Sequence, residues 1–411
     1  MKFWEGPLDS INQTRTPPAA WRMLALGVAA QAAGTLLVSV PAYLIPLLHT
    51  AHGMPLARAG LLASAPLVGV MLALVGWGAL ADRFGERWVI AGGMALTSLF
   101  AFAAMAAPGY VWLGAVLACG GAASASTSAA SGRVVVGWFP RQRRGLAMGI
   151  RQMAQPLGVA AAALAAPTLA ARYGVWAPLL LAAVATGALA LACAAGIANP
   201  PRPAAASAPA AGAGGALPVA VNPYLRDGFL ARIHAVSLLL VAPQFALSTF
   251  GLVWLTVGLG WPAHAAGAVM AAAQFIGALG RIGVGVLSDR VGSRVRVLRW
   301  VAASGVVVML ALAATGALGW PLAAAVVLVV ATTVSVADNG LAFTSVAEAA
   351  GHAWAGKALG IQNTGQFLAA AAVGPVVGAL ITAAGYPAAF ALVALTPLLA
   401  LGLIPRRDQH A

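Results

Sequence analysis

The chain has 411 residues, 61% hydrophobic and 8% charged, with a mean hydropathy of +0.91 and a formal net charge of +14. Soluble domains carry about a quarter charged residues, so this composition excludes a water-soluble protein and makes the bilayer the expected solvent. Residues 1–20 are polar and precede a full-length apolar run with no cleavage site after it, so no removed signal peptide is expected. Runs of about 20 residues, enough to cross about 30 Å of hydrocarbon, follow at 21–48, 59–80, 88–107, 111–136, 145–171 and 175–198. A Pro/Ala/Gly tract begins at Asn199 and has no core-forming pattern, so 199–228 reads as a flexible linker. A second series occupies 229–257, 263–287, 297–318, 320–347, 354–383 and 386–403. The runs are continuous rather than alternating, which predicts helices and not barrel strands. The expected fold is an all-α membrane protein of twelve transmembrane helices in two pseudo-symmetric six-helix bundles, 1–198 and 229–411.

The positive charge is unevenly distributed. All but five of the 23 lysines and arginines fall on the side that carries the termini and the linker. The exceptions are Arg58 and Arg172 on the opposite side and Arg133, Arg151 and Arg281 within spans. That asymmetry is the positive-inside pattern, which predicts a multi-pass protein of a bacterial-type inner membrane with both termini cytoplasmic. The charge sets topology, and no nucleic-acid partner is expected. Cys119 and Cys193 lie inside predicted spans and indicate neither disulfide nor metal.

One pattern occurs twice, 207 residues apart. Gly78-Ala-Leu-Ala-Asp82-Arg83-Phe-Gly85-Glu-Arg87 and Gly285-Val-Leu-Ser-Asp289-Arg290-Val-Gly292-Ser-Arg294 both read G-x-L-x-D-R-x-G-x-R. Each joins an apolar run to a short charged loop. With twelve helices in two sixes and a long central loop, this chain resembles the major facilitator superfamily. Trp138-Phe139-Pro140, Arg144-Gly145-Leu-Ala-Met-Gly149 and Gly374-Pro375-Val-Val-Gly378 agree. The resemblance implies a transporter working by alternating access, with a small-molecule substrate held near the midplane between the halves. It also implies that Asp82 and Asp289 latch the N-terminal ends of neighbouring helices when the inward side closes. Arg83, Arg87, Arg290 and Arg294 would complete that network, with Gly85 and Gly292 permitting the turns. The alternative is that these residues only anchor topology.

Substrate clues are sought among polar groups that the bilayer makes costly. Of the nine acidic residues only Asp338 lies deep, ten residues and about 15 Å before Glu348. A charge there costs about 2.5–3.5 kcal/mol, so it is expected to be paired, protonated or functional. Asp338 is read as the proton-coupling residue, or else as a structural partner within the second bundle. Arg281 lies eight residues, about 12 Å, before Asp289. Its planar fork of donors matches a carboxylate. The string Gly280-Arg281-Ile-Gly-Val-Gly-Val-Leu-Ser-Asp-Arg is similar to helix eight of monocarboxylate and oxalate/formate transporters, where an arginine at this place binds the substrate carboxylate. Helix one carries Gln31 rather than a lysine, and helix eleven has no lysine, so that branch's second cation is missing. A structural bond from Arg281 to Asp338 or to nearby carbonyls is the alternative.

Gln31, Gln244, Gln274 and Asn339 are further substrate-binding candidates, although amides often serve as interhelical glue. Aligning the glycines of helices five and eleven sets Arg151 opposite Gln362 and Gln155 opposite Gln366. That matched cluster is expected at the cytoplasmic mouth as part of the gate. No catalytic or phosphate-binding motif is present, so no enzyme, metal or cofactor is expected. The commitment is a monomeric, proton-coupled carrier of a small monocarboxylate-like anion. The runner-up is an antiporter exporting amphipathic or cationic compounds. Helix five, however, lacks the Gly-Pro pair usual in such exporters.

Overall fold

A computed structural model describes residues 18–139, 147, 150–199, 222–225 and 228–409. Within these, only the backbone is described at 82, 132–137, 352–353 and 355–356. Over the described residues, every predicted apolar run coincides with a helix. The first half holds α1 (Pro18–Thr50), α2 (Leu56–Phe84), α3 (Glu86–Met105), α4 (Tyr110–Trp138), α5 (Ala154–Tyr173) and α6 (Trp176–Gly196). The second holds α7 (Phe229–Val253, continued by a wider turn over Trp254–Gly258), α8 (Ala263–Val291), α9 (Arg294–Ala317) and α10 (Pro321–Gly351). Next come α11 (352–384) and α12 (386–403), separated by Gly385 at φ 79° as α10 and α11 are by Gly351 at φ 69°. The linker lies mostly outside the described residues.

The ends of the helices differ from expectation at the duplicated pattern. Asp82-Arg83 and Asp289-Arg290 sit in the last turns of α2 and α8, not in loops. The chain turns only at Gly85 (φ 82°) and Gly292 (φ 64°), where a left-handed backbone favours glycine. Apolarity marks where a helix meets the headgroups, and the backbone continues helical one polar turn further.

α10 is also interrupted. At Val336-Ala337 the helical pattern lapses into a turn and resumes at Asp338. Each half packs small residues closely, and the two halves meet on the side opposite the termini. There a Cβ at Gly60 (α2) would lie 2.2 Å from the Gly374 carbonyl oxygen (α11). One at Gly267 (α8) would lie 2.4 Å from the Ala163 carbonyl (α5), and one at Gly378 2.6 Å from that of Leu56. Toward the termini the same helices separate: a Cβ at Gly76, Gly78, Gly283, Gly285 or Gly360 would meet nothing within 4 Å. The cleft between the halves is closed at one end and open at the other.

The segments that follow α6 and α12 return to the duplicated turns in a matching way. Asn199 Oδ1 accepts the backbone N–H of Arg87 at the start of α3 (3.0 Å). Asp408 Oδ1 accepts that of Val295 at the start of α9 (2.9 Å), and its Oδ2 accepts from Ser293 Oγ (2.5 Å). Side-chain oxygens thus satisfy helix N-termini that the turns leave open. The acidic version also complements the helix dipole. Asp408→Ala is expected to cost about 1–2 kcal/mol of stability, read as a lower melting temperature. Asn199→Ala should cost less, about 1 kcal/mol, because it removes a neutral cap. Equal losses would mean that the charge contributes nothing.

Candidate functional site: a cleft between the halves

The cleft holds about 740 Å³ of empty space and is lined from both halves. α8 and α10 place Arg281 in its wall because Gly277 and Gly280 let the two helices touch. A Cβ at those glycines would come within 3.1 Å of Val336 and 2.7 Å of Thr333 respectively. At this contact Arg281 Nε donates to the Val336 carbonyl oxygen at 3.1 Å, a group exposed by the interruption of α10. Its two terminal nitrogens have no hydrogen-bond partner among the described residues, so the guanidinium keeps a donor pair free. Among the described residues lining the cleft, Arg281 is the single charged one.

Three of the expected amides join it. Gln274 (α8), Gln244 (α7) and Gln155 (α5) line the same cleft. Asn339 does not line it but supports the wall: its Nδ2 donates to Gln244 Oε1 at 3.0 Å. Gln366 in turn donates to Asn339 Oδ1 (2.9 Å) and Ser237 Oγ (2.7 Å). Gln31 is also behind the wall. It accepts from Ser131 Oγ at 3.3 Å, and Ser131 accepts from Arg151 Nε at 2.8 Å. Arg151 further holds the Ser128 carbonyl at 3.0 Å. The matched cluster expected at the mouth is therefore divided. Gln155 faces the cleft, Arg151 binds α4, and Gln362 and Gln366 bind α7 and α10.

Asp338 is 1% exposed, and neither carboxylate oxygen has a hydrogen bond of normal geometry among the described residues. It lines a second, narrow pocket inside the second bundle rather than the cleft. Leu240 and Pro243 of α7, Val301 and Met309 of α9, and Pro397 of α12 wall that cavity. Arg281 and Asp338 thus line different pockets and form no salt bridge within 4 Å, although the two charges lie close enough to interact electrostatically.

At the turn ending α8, Asp289 pairs with Arg294 (2.5 Å), which also donates to Ser288 and approaches Glu348 at 3.7 Å. In the first half Arg87 donates to the Ala194 carbonyl (2.7 Å). Arg83 lies over the Phe84 ring and Arg290 is exposed. The Asp82 side chain, on which half of the expected latch rests, is outside those described.

Several polar groups escaped the sequence reading. Tyr43 and Thr332 line the cleft, are 2% and 3% exposed, and leave Tyr43 Oη and Thr332 Oγ1 without partners among the described residues. Thr35, Ser39 and Tyr43 recur every four residues on one face of α1, a spacing that could have marked them. On α7, His234 Nδ1 donates to Gln362 Oε1 at 2.5 Å, and its Nε2 accepts from the Tyr224 hydroxyl at 2.9 Å. Burial pushes the Tyr224 phenol, before α7, above its usual range.

Comparison with known proteins accords with this arrangement. The family model described as Major Facilitator Superfamily matches residues 23–373. An uncharacterised MFS-type transporter of Mycobacterium tuberculosis is 44% identical over 389 residues, covering 95% of this chain and 85% of that one. A probable chloroplastic anion transporter of Arabidopsis thaliana is 31% identical over 161 residues, 39% of this chain and 30% of its own. Among solved structures, a bacterial homologue of the human lysosomal transporter Spinster, inward-facing and unoccupied, superposes with a TM-score of 0.74 at 14% identity. That match covers 95% of each chain. The family match across both halves and the relative alike over nearly the whole chain, on helices long and apolar enough to cross a membrane, show that the chain is a transporter of the major facilitator superfamily and not an enzyme.

Proposed function

We propose that this transporter carries a small, singly charged organic anion of the monocarboxylate class together with a proton. The observation that carries the reading is the pair of terminal guanidinium nitrogens of Arg281, which have no hydrogen-bond partner among the described residues, in a cleft with no acidic residue among its described lining. A carboxylate can occupy that fork with two parallel hydrogen bonds. A cation would meet one positive charge and no negative one, so the cleft disfavours the cation-export reading. The plant relatives, which are named probable anion transporters, lend the same support. With the termini in the cytoplasm of an inner membrane, the open end of the cleft faces inward. The pairs around Asp289 and Arg294 would then belong to the gate that closes that end.

Asp338 is proposed as the proton site. A carboxylate this deep, with no salt bridge and no hydrogen bond of normal geometry among the described residues, cannot stay charged cheaply, and its cavity adjoins the helix interruption that Arg281 holds. Reconstituted vesicles test the assignment. At one proton per anion, a gradient of one pH unit should drive about tenfold accumulation of a bound monocarboxylate. Asp338→Asn is expected to abolish that accumulation while leaving anion exchange at equal pH on both sides. Accumulation that persists in the variant would remove Asp338 from the coupling.

A further inference from the structure

The cleft contains more neutral hydrogen-bonding capacity than a bare monocarboxylate would use. The carboxylate would consume the Arg281 fork. Tyr43 Oη on α1 and Thr332 Oγ1 on α10 remain, both buried, both without partners among the described residues, and on walls supplied by different halves. A buried hydroxyl left without a partner is costly, and a ligand hydroxyl would relieve it. The placement is also graded along the cleft. Thr35, Ser39 and Tyr43 climb α1 in steps of about 6 Å toward the closed end, while Gln274 and Thr332 face the cleft from α8 and α10. Arg281 lies nearer the open end, ten residues before the end of α8. One charge near one end and neutral donors and acceptors along the remaining length define the ligand.

We propose that the substrate is a polyhydroxylated monocarboxylate, a sugar acid, whose carboxylate lies on Arg281 and whose hydroxyl groups reach Tyr43 and Thr332. The proposal rests on the anion reading above. It gives α1 a task in the cycle, because a ligand long enough to meet Tyr43 joins α1 of the first half to α8 and α10 of the second. Such a bridge would favour the closed cleft over the open one, as differential binding requires.

The test compares D-gluconate, hexanoate and D-glucose by thermal shift on the full-length protein in detergent, with dissociation constants from titration. These probes share a six-carbon chain and differ in charge and hydroxylation. Gluconate is expected to bind at least about tenfold more tightly than hexanoate, since a site that hydrogen-bonds a ligand hydroxyl rejects the analogue lacking it. Tyr43→Phe and Thr332→Val should each reduce that ratio, and the pair together should bring it to about one. Hexanoate binding as tightly as gluconate would overturn the sugar-acid proposal while leaving the anion reading intact. Glucose binding without either carboxylate would overturn both. A ratio unchanged in folded Tyr43→Phe and Thr332→Val proteins would also overturn it, because the discrimination would then arise elsewhere.

Discussion

Arg281→Ala is expected to lower carboxylate affinity by about 30-fold or more, while the protein still folds. The size follows from the geometry. Truncating one partner of a buried, hydrogen-bonded charge pair costs about 2–5 kcal/mol, and about 1.4 kcal/mol is tenfold in affinity. The effect on folding is smaller because two terms oppose. Loss of the Nε bond leaves the Val336 carbonyl unpaired at the α10 interruption, worth about 1–3 kcal/mol. Removing a charge from the membrane interior returns about 2.5–3.5 kcal/mol. Near-cancellation predicts a variant that melts close to the parent temperature but no longer responds to ligand. The parent should gain about 2.7 kcal/mol at a ligand concentration 100 times the dissociation constant. Arg281→Lys should fall between the two, since it keeps the charge and loses the planar fork. Undiminished ligand-induced stabilisation in Arg281→Ala would place the carboxylate elsewhere.

The architecture was legible because the bilayer imposes one rule that composition obeys: every span must satisfy its own backbone within an apolar run. The duplicated G-x-L-x-D-R-x-G-x-R pattern marked the two halves, and its glycines are where the chain turns. The identities of Arg281, Gln244 and Gln274 as cleft residues also followed from depth and polarity. Facing was harder. Val336 lines the cleft and Asp338 the second cavity, as two positions about 200° apart on a helix should. Depth alone could not reveal this, so the sequence left a Arg281–Asp338 pair open. The interruption at Val336-Ala337 has no proline or glycine to announce it; the carbonyl it frees is bonded by the side chain of a different helix. The register of helices five and eleven gave Gln155 and Gln366 equivalent places, yet only Gln155 faces the cleft. Two helices of matching sequence can still be rotated differently by their neighbours. Tyr43 was missed because a phenol in an apolar run reads as core. Only the facing wall turns its hydroxyl into a site.

The second large effect concerns the closed end of the cleft. Gly374→Val is expected to reduce transport by about two orders of magnitude by preventing the halves from meeting opposite the termini. A Cβ at Gly374 would lie 2.2 Å from Ser64 Oγ and 2.3 Å from the Gly60 carbonyl oxygen. The hydroxyl can rotate away; the carbonyl belongs to α2 and cannot move without it. Overpacking typically costs about 1–3 kcal/mol, and the charge falls only on the state in which α2 and α11 touch. The opposite state, with this end open, carries none of it. Reversing a 1:99 equilibrium requires about 5.5 kcal/mol, so Gly374→Ala should shift the population by about 10- to 100-fold and the branched valine further. A cysteine introduced at Ser64, which is 3% exposed in the closed arrangement, reports the difference. An impermeant thiol reagent added on the side opposite the termini should label Ser64→Cys slowly in the parent and rapidly with Gly374→Val. Transport should fall in step with the gain in labelling. Normal transport with slow labelling would mean that α2 and α11 can close over a side chain, and that the glycine contact does not govern access.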